Sequence, residues 1–222
     1  MRERYERELK VLHDEILKMG LLVERALSGA MAAVKSNDTD SAEAIIAADA
    51  DIDGMEGEIE GLCAMIIARE QPLAGDLRNV LTVLKIASEL ERMGDHARSL
   101  AKRTGRIGMA ELAMALPYFE AMMGRVLVMM KDALEAFTEH DSKSALDVAA
   151  MDSEVDRVHD ELYGRVMEVL NRGGDHDPED LVSLLFLNRF MERLGDRVTN
   201  MCEWIYYART GERLEMNRSH RL

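Results

Sequence analysis

Four short segments of this 222-residue sequence carry two acids with three residues between them: Asp49/Asp53, Glu91/Asp95, Asp152/Asp156 and Glu192/Asp196. On a helix, residues four apart share a face, so each pair presents two carboxylates to one point. Any one such pair is uninformative in a chain holding 42 acids. Their placement is the signal. The midpoint of Asp49/Asp53 lies about 21 residues before Pro72, and that of Glu91/Asp95 about 21 after it, so an antiparallel helical hairpin sets both pairs at one height. Asp152/Asp156 and Glu192/Asp196 stand in the same way about 21 residues before and 19 after Asp175.

Four gathered carboxylates repel one another, and two remedies exist. A multivalent cation is the first, and an all-oxygen set without soft ligands selects hard or borderline ions. Ion pairing by Arg92, Arg98, Arg193 and Arg197 is the second. The second set is richer in oxygen donors. Asn188 and Asn200 lie one turn either side of Glu192/Asp196, and Asp160 extends Asp152/Asp156, where the first set has Ala87, Ser99 and Gly57. A glycine, Gly94 or Gly195, sits within each set at a helix cost of roughly 1 kcal/mol relative to Ala. Close backbone approach on the site face would justify it.

Other candidates are weaker. The six histidines form no repeated set; His140 is expected in a turn and His96 on a solvated face. Asp156-x-x-His159 approaches the Glu-x-x-His of di-iron bundles, but occurs once where such proteins need two. No glycine-rich phosphate loop, nucleophile elbow or Cys/His zinc pattern is present. The methionines Met122, Met123, Met129 and Met130 read as core.

The elements that must position the acids follow from apolar spacing. Leu9, Leu12, Ile16, Met19, Val23 and Leu27 recur every three or four residues, one stripe on a helix. Ser36-Asn37-Asp38 ends it with a turn and a new N-cap. A second helix passes Ile45, Ile52, Ile59 and Ile66. A third, with Pro72 in its first turn, runs past Leu77, Leu84, Leu90 and Leu100 to Gly105 and Gly108. The fourth is expected to open between Leu112 and Pro117. Then the pattern repeats. Asn37-Asp38 returns as His140-Asp141 and Asp49 to Asp53 as Asp152 to Asp156, both shifted by 103; Leu90 to Asp95 returns as Met191 to Asp196, shifted by 101. The expected fold is all-α: two tandem three-helix bundles, elongated, over 1–108 and 109–222, with breaks near 37, 72, 108, 140 and 175.

The net charge of −14 excludes recognition of a phosphate backbone, which needs clustered Lys and Arg. Two distant cysteines, Cys63 and Cys202, exclude a disulfide framework and are expected to be buried as small apolar residues. The N-terminal residues lack the apolar core of a signal peptide, and wholly apolar runs fall short of a membrane span, so the cytosol is the expected compartment.

Three stretches carry a family likeness: Gln71-Pro72-Leu73-Ala74-Gly75-Asp76-Leu77-Arg78, Leu90-Glu91-Arg92-Met93-Gly94-Asp95-His96-Ala97, and Met191-Glu192-Arg193-Leu194-Gly195-Asp196-Arg197-Val198-Thr199-Asn200. Over nearly its whole length the chain resembles the PhoU family. The resemblance implies two tandem three-helix bundles, surface metal clusters of iron or zinc, and frequent homodimers. It also implies negative regulation of phosphate signalling, linking a phosphate ABC transporter, through its ATPase, to a membrane sensor histidine kinase. The family's acid-x-x-x-Asp motif falls on the four pairs above, and Asn200 matches the end of the second copy, where the first copy has Ser99. The expectation is thus a non-enzymatic, metal-binding regulator that docks on cytosolic domains of its partners and neither inserts in a membrane nor binds nucleic acid. Two other readings stay open: a carboxylate-bridged di-metal enzyme, and a metal-free helical interaction module.

Overall fold

The computed structural model describes residues 2–173 and 176–216, and among these every regular element is a helix. The first bundle comprises α1 (Arg2–Ser36), α2 (Thr39–Glu70) and α3 (Gly75–Ala101), each packed on the other two. The second comprises α4 (Met109–Glu139), α5 (Ser142–Ala150), α6 (Asp152–Arg172) and α7 (Pro178–Thr210). Here α5 and α6 together occupy the place of α2. The expected break at Asp175 lies outside the described residues, between the end of α6 and the start of α7.

The repeated turns are built alike. Asn37 (φ 57°) and His140 (φ 54°) take the left-handed conformation that ends α1 and α4. Asp38 and Asp141 then cap α2 and α5, each accepting two backbone N–H bonds and a serine hydroxyl, from Ser41 and Ser144. The α1 stripe Leu12, Ile16, Met19, Val23 and Leu27 is wholly buried, as are Met122 and Met129 of α4, so the methionines do serve the core. Both cysteines are free and buried.

Three local expectations need correction. Pro72 lies in the loop before α3, which starts at Gly75. α4 opens at Met109, and Pro117 stands inside it. A proline there removes a helical N–H, but dense burial along α4 sustains the helix. His96 is half-buried against Phe190, ring centroids 5.8 Å apart, not solvated. Burial, with Arg197 and Arg193 nearby, pushes its pKa down to about 4.

One break was not foreseen. The helix through the second repeat tightens at Met151, whose N–H bonds Val148 O at 3.0 Å and whose carbonyl accepts from Glu154 at 3.0 Å, an i to i+3 pattern. Ser153 donates its hydroxyl to Ala150 O, a back-bond that bends helices. The matching residue in α2 is Ala50, which has no such hydroxyl. The bend falls immediately before Asp152.

By length and composition α4 could span a membrane. In this fold it is a core helix: Phe119, Met122, Val126 and Met129 are fully buried, and α4 packs against α1, α5, α6 and α7.

The bundles meet along α3 and α7, which run antiparallel. Arg78 lies by Ala208, Thr82 by Trp204, Glu89 by Arg197 and His96 by Phe190. Shifting by 101 turns Glu89 into Phe190 and His96 into Arg197, so the last two contacts exchange. The repeats are therefore related by a pseudo-twofold axis that passes between α3 and α7 near Met93 and Leu194. Both acidic sets sit beside that axis.

Gly94 and Gly195 mark a close approach of α3 and α7 to their hairpin partners. A methyl at Gly94 would stand 3.0 Å from Ile52 Cδ1, and one at Gly195 would overlap Asp152 Oδ1. Gly195→Ala is expected to cost about 1–3 kcal/mol despite alanine's better helix propensity. Gly164→Ala on α6, where nothing lies within 4 Å, should instead stabilise by about 0.5–1 kcal/mol. Chemical denaturation of both variants checks this; stabilisation by both would remove the close approach.

Candidate functional site

Each acidic set forms along a seam between hairpin helices, α2 with α3 and α6 with α7. In the first, Asp49 is 5% exposed and faces Asp53 and Asp95. Arg98, one turn beyond Gly94 on α3, donates to Asp49 Oδ2 at 2.5 Å and also pairs with Asp95. Burial still holds Asp49 above the usual carboxylate range, although Arg98 pulls it down. Glu91 is pushed up to about 7, first by burial and then by Asp95, Glu56 and Asp53. Glu56 thus belongs to the cluster. It stands outside the four repeated pairs because it lies three residues after Asp53 and pairs at i,i+4 with Glu60, away from the duplicated motif.

The second seam has the same backbone plan and a different charge balance. Asp152, 6% exposed, takes the place of Asp49 and is pushed up to about 7 by burial, then by Asp156 and Asp196. The residue matching Arg98 is Thr199, whose hydroxyl donates to Asp152 Oδ2 at 3.2 Å. A hydroxyl bonds a carboxylate but brings no charge. Asp152 Oδ1 is buried and has no hydrogen-bond partner. Glu192, almost wholly buried, is met by Arg189 at 2.6 Å, while Arg197 points across the bundle junction to Glu89 at 3.2 Å. Of the two remedies open to the sequence, arginine pairing operates directly on Asp49. Asp152 gets a threonine.

The extra donors of the second repeat are partly engaged elsewhere. Asn200 Nδ2 donates to Glu89 Oε2 at 3.3 Å, across the α3–α7 junction. Asn188 is fully buried, and its Nδ2 donates to His159 O at 2.9 Å, while its Oδ1 has no hydrogen-bond partner. Asp160 lies exposed on α6. His159 Nδ1 lies 3.3 Å from Asn188 O, which ties α6 to α7 in place of completing a di-iron motif. Among the described residues no three His, Cys, Asp or Glu side chains stand in closed metal-binding geometry. The donor set at Asp152 nevertheless suits a hard or borderline cation: a buried carboxylate oxygen without a donor, among further carboxylates.

The charge balance predicts a pH dependence. The folded pKa of Asp152, about 7, lies above its unfolded value, so its contribution to stability is full at low pH and is lost as pH rises through about 7. In chelator-treated protein, Asp152→Asn should therefore gain on wild type by about 2 kcal/mol between about pH 5 and about pH 8. Thermal unfolding across that range measures it, and parallel curves would contradict the assignment.

Comparison with known proteins agrees with the repeat. The family model described as the PhoU domain matches twice, over residues 16–104 and 119–205. A phosphate-specific transport system accessory protein PhoU homolog from Clostridium acetobutylicum is 35% identical over 217 residues, 97% of this chain and 99% of that one. The phosphate-specific transport system accessory protein PhoU of Escherichia coli is 32% identical, over 92% of this chain and 85% of its own. Among solved structures, the phosphate transport system regulatory protein PhoU from Streptococcus pneumoniae aligns with a TM-score of 0.88 at 30% identity, covering 95% of this chain and 99% of its own. PhoU from Pseudomonas aeruginosa aligns with a TM-score of 0.81, also at 30% identity, over 94% of this chain and all of its own. With both repeats matched and near full-length relatives at this identity, the chain belongs to the PhoU family.

Proposed function

We propose that this protein is a non-enzymatic negative regulator of phosphate uptake and phosphate-starvation signalling whose acidic seams hold metal ions, the second seam more tightly. The observation that carries the regulatory part is the match of both repeats to relatives named as accessory or regulatory proteins of phosphate transport. Its partners would be the ATPase of a phosphate ABC transporter and a sensor histidine kinase, met on their cytosolic domains, with the chain itself a cytoplasmic homodimer. A net charge of −14 suits basic surfaces on such partners and disfavours nucleic acid.

The metal part rests on Asp152. Its unmatched oxygen, with Asp156, Glu192 and Asp196 around it, would hold a cation of the iron or zinc type. Asp49, Asp53, Glu91 and Asp95 would form the weaker counterpart, because Arg98 already supplies positive charge there. A bound ion would neutralise the seam and fasten α6 to α7, tying metal supply to the stability of the second bundle.

Elemental analysis of purified wild type and Glu192→Gln/Asp196→Asn is the test of the metal site. The double variant should lose bound metal and the chelator-sensitive part of its melting temperature. Equal metal content in the two proteins would exclude the site. Capture of the transporter ATPase or the kinase from solution tests the partners, and specific, salt-sensitive DNA retention would overturn the regulatory reading.

A further inference from the structure

Away from both acidic seams, a cavity of about 210 Å³ opens where the two bundles meet, between α1, α3, the end of α4 and the end of α7. Its lining has the opposite sign to most of the molecule. Two arginines, Arg78 and Arg209, share it with a single acid, Asp76, and with His13 and His140, in a chain of net charge −14. Asn79 and Thr82 add amide and hydroxyl groups.

The arginines are not used up by structure. Arg78 Nε donates to Ala208 O at 3.3 Å, which sets the guanidinium across the α3–α7 junction. Among the described residues its terminal nitrogens take no hydrogen-bond or ion-pair partner, and Arg209 is exposed on α7 with none. His13 Nε2 is buried and also lacks a partner. Its ring lies 5.5 Å from that of His140, and burial followed by His140 pushes its pKa down to about 4. The adjoining start of α3 has no side-chain cap, since Ala74 precedes it, and uncapped amides at a helix start favour anions.

We propose that this cavity binds a small tetrahedral oxyanion, inorganic phosphate foremost, across the junction of the two repeats. A guanidinium pairs with phosphate oxygens through parallel N–H bonds, and two arginines outweigh the one carboxylate. The volume admits about seven waters at about 30 Å³ each, enough for a partly hydrated oxyanion. It falls short of the roughly 300 Å³ at which pockets begin to enclose drug-sized ligands, so a nucleotide does not fit within it. The second repeat does not reproduce the arginine. Shifted by 101, Asp76 becomes Asp177 but Arg78 becomes Glu179, which cannot bind an anion. The Gln71 to Arg78 stretch, unrelated to the acidic seams, thereby acquires a role. Its ligand would touch both repeats at once.

The site is independent of the metal reading, and its test removes metal so that a metal-bridged phosphate cannot imitate it. Chelator-treated full-length protein is titrated calorimetrically with inorganic phosphate, and separately with ATP. One phosphate per chain is expected, weakened about tenfold or more in Arg78→Gln and in Arg209→Gln. Arg209, exposed and unpaired, keeps the test valid should Arg78→Gln impair folding. Ring resonances of His13 and His140 should shift on phosphate addition while those of His159 do not. Absence of saturable binding at about 10 mM phosphate, binding unchanged in both variants, or tighter binding of ATP than of phosphate would each overturn the proposal.

Discussion

Taking a carboxylate out of water costs several kcal/mol unless its charge is met, and this chain does so at Asp49 and again at Asp152. The burial follows from packing. Gly94 and Gly195 let α3 and α7 approach their hairpin partners so closely that the acid facing each glycine is trapped in the seam. Everything about the two sites then depends on what stands one turn past the glycine. Arg98 brings a charge and closes the first seam on itself. Thr199 brings only a hydroxyl and leaves a buried oxygen of Asp152 unmatched. One duplicated backbone thus carries two electrostatic states, and the second is the one that gains from a cation.

The pseudo-twofold arrangement sets both seams beside the junction of the bundles, and the junction has its own polar inventory. Glu89 gathers Arg197 and Asn200 from α7. Arg78 and Thr82 bind backbone carbonyls near the end of the same helix. Charges that the second seam lacks are therefore spent on holding the repeats together. A cation at Asp152 and an anion beside Arg78 would bear on the same helix, α7, from opposite sides. That gives a physical route by which metal and phosphate could each influence how the two bundles sit.

Much of this was legible in the sequence. The duplication, the turns at Asn37-Asp38 and His140-Asp141, and the equal height of paired acids all follow from spacing, which packing does not disturb. What escaped depended on neighbours from other helices. Pro117 was misplaced because local propensity yields to burial along α4, and Pro72 because the left-handed Gln71 and Ala74 delay the start of α3 to Gly75. His96 was read as solvated because nothing in its own helix announces Phe190. Asn200 was assigned to the seam, yet Glu89 of the other repeat draws its amide away. The pairing of Arg98 with Thr199 was readable from the shift of 101, but its meaning required knowing that each side chain reaches the buried acid.

The account turns on that single exchange, and bound metal per chain in Thr199→Arg measures it most directly. An arginine there should do for Asp152 what Arg98 does for Asp49, so the folded variant should lose the second seam's metal while the first seam is unchanged. Metal content equal to wild type in a folded Thr199→Arg protein would contradict the claim that the missing charge at this position makes the site.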